Sequence, residues 1–140
     1  MSRILLMCSA NKKLAQPAPA KLLYRSALFQ QGWAYALSFE AEAYYILSTR
    51  YGLVPAEREI APYPETMSAL TEVQLDEWAE LIISDLAQLH ALAQTEVILL
   101  GMRRFVNPIA ERLPYSQTPL VGMSMPELMG FLRRKAWETK

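Results

Sequence analysis

The chain has 140 residues, the size of one ordinary domain. Hydrophobic residues make up 52%, enough for one substantial core, and 14 basic residues balance 14 acidic ones, so no net field drives wholesale binding to nucleic acid or membrane. A single cysteine excludes an internal disulfide and fits a reducing cytoplasm, and no apolar run approaches the ~18 residues of a membrane-spanning helix.

The first stretch, Arg3-Ile4-Leu5-Leu6-Met7-Cys8-Ser9-Ala10-Asn11-Lys12, is a short apolar run bounded by small polar residues and a lysine. It reads as a buried strand with Cys8 at its end. Leu5-Leu6-Met7-Cys8 has the outline of a lipoprotein cleavage site, but the apolar stretch is shorter than the ~7–15 residues of a signal core, so that reading is rejected. Asn11 to Ala20, with Pro17 and Pro19, is expected to be an extended loop. From about Tyr24 to Glu40 the spacing is helical. Phe29, Trp33, Ala36 and Leu37 share a face, Ser26 suits the N-cap, and Gly32 lets the helix lie close to a sheet.

Ala43 to Leu47 is the second expected strand, ended by Ser48. Tyr51-Gly52-Leu53-Val54-Pro55 reads as a turn, and Glu57 to Pro64 as a long loop. Thr71 and Gln74 match a capping box. Leu75, Trp78, Ala79, Ile82, Leu86 and Leu89 then form one stripe of a helix ending near Ala93. Glu96 to Gly101 is the third strand. Asn107-Pro108 opens a short helix with Asn107 as cap, and Pro119 to Gly122 is a fourth strand. A last helix runs from Pro126 through Phe131 into a basic tail, Arg133-Arg134-Lys135. There is no internal repeat and no low-complexity tract.

Strand and helix alternate four times. The expectation is a single α/β domain over 1–140: a three-layer sandwich with a four-stranded parallel sheet, order 2-1-3-4, and helices on both faces. The switch point then lies beside Cys8 and Gly101, and ligands of such sheets bind beyond the strands' carboxyl ends.

That edge collects Ser9 and Lys12 with Cys8, then Ser48, Arg50, Tyr51 and Gly52, then Gly101, Arg103 and Arg104, then Gly122 and Met123. It is basic although the whole chain is neutral, and its small residues admit a ligand to the backbone. The implied ligand is a small anionic or nucleotide-like molecule. Ser9, Ser48, Arg50, Tyr51, Gly52, Gly101 and Arg103 are its candidate binding residues. Cys8, Lys12 and Glu57 are the catalytic candidates. A cation near Cys8 would raise its thiolate fraction and make it a nucleophile; the alternative is a buried structural cysteine. Glu57 or Glu59 is either a general acid–base folded over the pocket or a solvated loop carboxylate. His90 lies late in the long helix, away from the edge. One Cys and one His cannot supply a zinc site, so no metal is expected. Tyr24 and Tyr63 are loop or helix-start aromatics able to stack on a ring, whereas Trp78 belongs to the core. With no Walker loop and no Gly-x-Gly-x-x-Gly, no ATP or dinucleotide cofactor is expected.

In this series of pieces the chain resembles a small family of bacterial and phage proteins of unknown function. The pieces are Cys8-Ser9 with Lys12, Pro17-Ala18 with Ala20, Leu23-Tyr24 with Ser26 and Phe29, Ser48 with Tyr51-Gly52-Leu53, Pro62-Tyr63, Trp78 and Gly101. A second set is similar to the Cys/Lys motif domain of archaeosine synthase, an enzyme of 7-deazaguanine modification in transfer RNA. That set is Cys8 with Lys12, Tyr51-Gly52-Leu53-Val54-Pro55 with Glu57 and Glu59, and Tyr63-Pro64. The wider group is similar in fold to uracil-DNA glycosylases. The synthase's Pro-Cys and its Lys-Pro-Tyr, with the Ser and His that follow, are replaced by Met7-Cys8 and Lys12-Lys13-Leu14 with no nearby His. The resemblance therefore implies a nucleobase, nucleoside or nucleotide pocket, not the amine-addition reaction. A cysteine-dependent transferase or N-glycosidase is the enzymatic form of that reading. The alternatives are a non-catalytic nucleotide or nucleic-acid binding module, and an interaction domain of a defence or mobile-element system. For the last, seven methionines and the aromatics Phe131 and Trp137 would suit a homodimer face. A cytoplasmic location and no membrane partner complete the expectation.

Overall fold

Ile4, Leu5 and Leu6 are consecutive, and none is accessible to solvent. Successive strand residues point to opposite faces, so this strand needs cover on both. The structure, a computed structural model describing residues 1–138, supplies it by placing strand β1 (Ser2–Cys8) at the centre of a sheet. β1 pairs in parallel with β3 (Ala43–Ser48) on one side and β6 (Thr95–Leu100) on the other. β4 (Gly52–Pro55) runs antiparallel to β3 at one edge, and β7 (Ser116–Gln117) parallel to β6 at the other, giving the order β4-β3-β1-β6-β7. A two-stranded ribbon lies outside the sheet: β2 (Ala18–Pro19) with β5 (Glu59–Ile60).

Each face has its own apolar cluster. Leu5 and Met7 join α2 (Ala27–Leu37) and α5 (Met125–Glu138) through Phe29, Ala36, Leu128 and Leu132. Ile4, Leu6 and Cys8 join α3 (Glu72–Leu89) and α4 (Arg103–Ala110) through Trp78, Ile82, Val106 and Ile109. Each buried Leu, Ile or Phe side chain contributes about 1.5–3 kcal/mol. A short helix, α1 (Ala20–Leu23), follows β2.

Local signals set two helix starts. The Ser26 hydroxyl accepts the Phe29 N–H at 3.0 Å to open α2. At α3 the Thr71 hydroxyl accepts the Gln74 N–H at 3.2 Å, and the Gln74 side chain accepts the Thr71 N–H at 2.9 Å. Gly32 lets α2 lie close to β1, and a Cβ there would lie 2.7 Å from the Met7 methyl carbon, the flexible end of that side chain, which would have to shift.

The sheet departs from the expected four parallel strands at its edges. Residues 119–122 form a turn, because Pro119 has no N–H to pair and Gly122 adopts φ +101°. The edge position goes to Ser116–Gln117 instead. The expected turn at Tyr51–Pro55 is strand β4: Gly52, at φ +70°, lets the chain reverse tightly after Ser48. Pro55 ends that edge strand, where a missing N–H is tolerated. The two expected loops contribute β2 and β5. The helix expected to be capped by Asn107 starts earlier, with Met102 as N-cap and Arg103 as first residue, so Pro108 falls inside it. α3 stops at Leu89, which is 59% exposed and outside the core stripe. The basic run Arg133–Lys135 lies within α5 rather than in a tail. No helix among the described residues is long and apolar enough to cross a membrane.

Thr71→Ala removes one half of the α3 capping box. It is expected to lower the unfolding free energy by about 1 kcal/mol, read from urea titration at neutral pH.

Candidate functional site

The parallel registers bring several strand ends to one rim. Cys8 is opposite Leu47, Met7 opposite Leu100, and Ser48 opposite Gly52. Cys8, Ser48, Gly52 and Gly101 therefore share the carboxyl edge. The connection from β1 to β3 carries α2, which packs on one face. The connection from β4 to β6 carries α3, which packs on the other. The β1–β6 gap is thus the topological switch point, where neighbouring loops diverge and leave a crevice.

A cavity of about 460 Å³ opens there. Cys8, Ser9 and Lys12 line it from β1 and the following loop, Gly101 and Phe105 from the β6–α4 side, and Phe29 from α2. Leu100, Leu120, Leu128 and Leu132 complete an apolar wall. The polar groups are Ser9, Asn11 and Lys12 from the loop after β1, Ser26 from the cap of α2, and Ser68 from the 3-10 turn Met67–Ala69. The volume falls within the ~300–1,000 Å³ typical of small-molecule pockets.

Cys8 is buried in this wall, and burial pushes its thiol up to about 12. Its sulfur rests against Gly101, where an added Cβ would lie 2.6 Å from Cys8 Sγ and 3.0 Å from Val106 Cγ1. The missing side chain at Gly101 thus makes room for the sulfur as well as opening the cavity. His90 offers Cys8 no help: it caps α3 and shares a 2.7 Å hydrogen bond with the Tyr45 hydroxyl, beside the starts of β1 and β6.

A second group of polar side chains lies behind the loop after β1. The Ser48 hydroxyl accepts the N–H groups of Arg50 (3.2 Å) and Tyr51 (3.0 Å), and the Trp78 indole N–H donates to the Ser48 carbonyl at 3.1 Å. The Tyr24 and Tyr63 hydroxyls are 2.5 Å apart and buried. Burial and the Tyr63 hydroxyl raise the Tyr24 pKa, while the hydroxyls of Ser48 and Ser9 pull it down. Ser9 therefore joins this cluster to the cavity. Tyr51 meets the Tyr63 ring edge-on at 5.6 Å, and Lys13 Nζ lies 4.3 Å above that ring. Tyr24 and Tyr63 are thus core residues with engaged hydroxyls, not loop aromatics free to stack on a ligand.

The structure divides the residues singled out from the sequence. Cys8, Ser9, Lys12 and Gly101 line the cavity; Ser48, Arg50, Tyr51, Gly52, Glu57 and Arg103 do not. Arg50 pairs with Glu65 at 3.8 Å, and Gly52 forms the turn into β4. Glu57 is largely exposed and held by Lys21 at 2.7 Å. Arg103 is exposed at the start of α4. The sequence marks Phe29 as a helix-face residue but not as part of the site, and does not mark Phe105, Leu120 or Leu128 as site residues. Their one signal is an apolar residue within the first turns of a helix that follows a strand end, and Leu120 lacks even that. No group of three or more His, Cys, Asp or Glu side chains placed to hold a metal occurs among the described residues.

Residues 4–134 match the profile of DUF6884, a family of unknown function. The chain belongs to this family. No curated protein and no solved structure matches the chain. Within this DUF6884 chain the matched span takes in every strand but the first two residues of β1, and all the cavity-lining residues.

Packing, pH dependence and thiol labelling test the buried sulfur. Gly101→Ala is expected to destabilise the fold by about 1–3 kcal/mol through overpacking. Combining it with Cys8→Ala should recover part of that loss in urea unfolding. For pH, the unfolded Cys8 thiol ionises near its ordinary value of 9.0 and the folded one near 12. Its contribution is therefore complete below pH 9 and is lost as pH rises toward 12. The raised Tyr24 acts in the same direction above its ordinary value of 10.0. Unfolding free energy should fall as pH rises from 9.0 toward about 12, less steeply in Cys8→Ala, and a thiol reagent at neutral pH should label Cys8 only after urea is added.

Proposed function

We propose that the chain, acting as one domain, binds a nucleobase or a small nucleobase derivative in the cavity between the ends of β1 and β6. The observation that carries this is the division of the cavity wall. Phe29 and Phe105 offer flat faces and the leucines further apolar contact, while Ser9, Asn11, Lys12, Ser26 and Ser68 supply the few hydrogen-bonding groups. A heterocyclic base has the complementary form, with apolar faces and a polar rim. The pieces shared with archaeosine synthase, Cys8 with Lys12 and the segment Tyr51 to Pro55, support the same class of ligand.

In this reading Lys12 holds an anionic substituent at the mouth, and Cys8 is the floor of the pocket rather than a nucleophile, because its thiol stays protonated. Glu57, tied to Lys21 outside the cavity, takes part in no step. The reading is therefore of binding, without a covalent intermediate.

Ligand-observed NMR with the common nucleobases, their nucleosides and 5′-monophosphates tests it. At least one is expected to bind with a dissociation constant below about 1 mM. Leu28 also lines the cavity, and Leu28→Trp, which adds bulk there, should abolish that binding. Lys12→Ala should weaken a monophosphate about ten-fold, roughly 1.4 kcal/mol, and leave the free base unchanged. Absence of binding across the whole set would overturn the proposal.

A further inference from the structure

We infer that the base entering this cavity belongs to a single-stranded nucleic acid whose backbone crosses the cavity mouth. This rests on the reading of the cavity as a nucleobase pocket. It is carried by a different observation, the arrangement of unpaired cations.

The Arg25 N–H donates to the Lys12 carbonyl at 2.8 Å, which holds these two exposed residues side by side on one bank of the mouth. Lys12 itself and Ser26, the neighbour of Arg25, line the cavity. Arg103 is exposed on the other bank, directly after Met102, which also lines the cavity. None of Lys12, Arg25 and Arg103 has an acidic partner among the described residues. Lys13, Arg58, Arg133 and Arg134 have none either, whereas Arg3, Lys21, Arg50, Arg104, Arg112 and Lys135 each have one; what sets Lys12, Arg25 and Arg103 apart is their place, at the cavity or beside it on the β1 and β6 sides. A neutral chain thus leaves positive charge uncompensated on both sides of an apolar opening.

A lone phosphate is held best by cations converging on one point. Cations on opposite banks instead suit a chain of phosphates passing between them. Aromatic walls below, here Phe29 and Phe105, suit a base turned down from that backbone. A single strand presents such a base without the unpairing that a duplex requires.

The test uses the full chain and a fluorescein-labelled, mixed-sequence single strand of about ten nucleotides, followed by anisotropy across a salt series. The expected result is binding at least about ten-fold tighter than any 5′-monophosphate, with a log–log salt slope near −2 for three phosphate contacts. Lys12→Glu, Arg25→Glu and Arg103→Glu should each weaken it about ten-fold, whereas Arg58→Glu, in the turn after β4, should not. Leu28→Trp should weaken it too, since the base can no longer enter.

An oligonucleotide bound no more tightly than a monophosphate would overturn the strand inference and leave the nucleobase pocket standing. Binding indifferent to Leu28→Trp, or equally displaced by an aspartate oligomer, would show surface attraction without base entry and would also overturn it. If no nucleobase, nucleoside or monophosphate binds and the oligonucleotide does not bind either, both readings fall.

Discussion

A strand with no polar residue between Ile4 and Cys8 must be covered above and below, and it must find hydrogen-bonding partners on both edges. That double requirement puts β1 in the middle of the sheet. It also decides where the chain can go next: one connection packs on one face and the other on the opposite face. Divergence of the two connections leaves a crevice beyond β1. The loop that follows β1 at once becomes the cavity's polar edge, so Ser9, Asn11 and Lys12 reach it by adjacency to the central strand.

The same burial decides the chemistry of Cys8. A cysteine at a strand end beside a lysine reads either as a reactive thiol or as a buried structural one. Here the sulfur is directed into the apolar layer of α3 and α4, against Gly101 and Val106, and desolvation outweighs any help from the exposed Lys12. The polar chemistry of the rim is displaced to its neighbours. Ser9 is shared between the cavity and the buried Tyr24–Tyr63 pair, and Ser48 fixes the turn toward Tyr51.

Features set by near neighbours were legible in the sequence. The Ser26 cap, the Thr71–Gln74 box and the core stripe through Trp78 and Ile82 all depend on spacings of a few residues. The three central strands were equally plain, being apolar runs closed by small residues. The edges were not. Gly52-Leu53-Val54-Pro55 carries turn residues at both ends and becomes a strand only because β3 offers it an open edge. Two residues at Ser116–Gln117 have no strand pattern at all and are recruited by β6. The cavity was half legible for the same reason: Cys8, Ser9, Lys12 and Gly101 follow from strand ends. Phe29, Phe105 and Leu128 depend on how helices tilt over the sheet, and the Tyr24–Tyr63 bond joins residues 39 positions apart.

The pairing of β1 with β6 carries a temporal consequence. Ser2 lies opposite Thr95, and Arg3 bonds Glu96 across a separation of 93 residues. The central strand therefore cannot gain its second neighbour until most of the chain has been synthesised. Until then one edge of a wholly apolar segment stays open, and contacts of such long range form slowly. The switch-point crevice is correspondingly among the last features to exist. A nascent chain halted before β6 would expose the leucines of β1 to chaperones and to other unfinished chains.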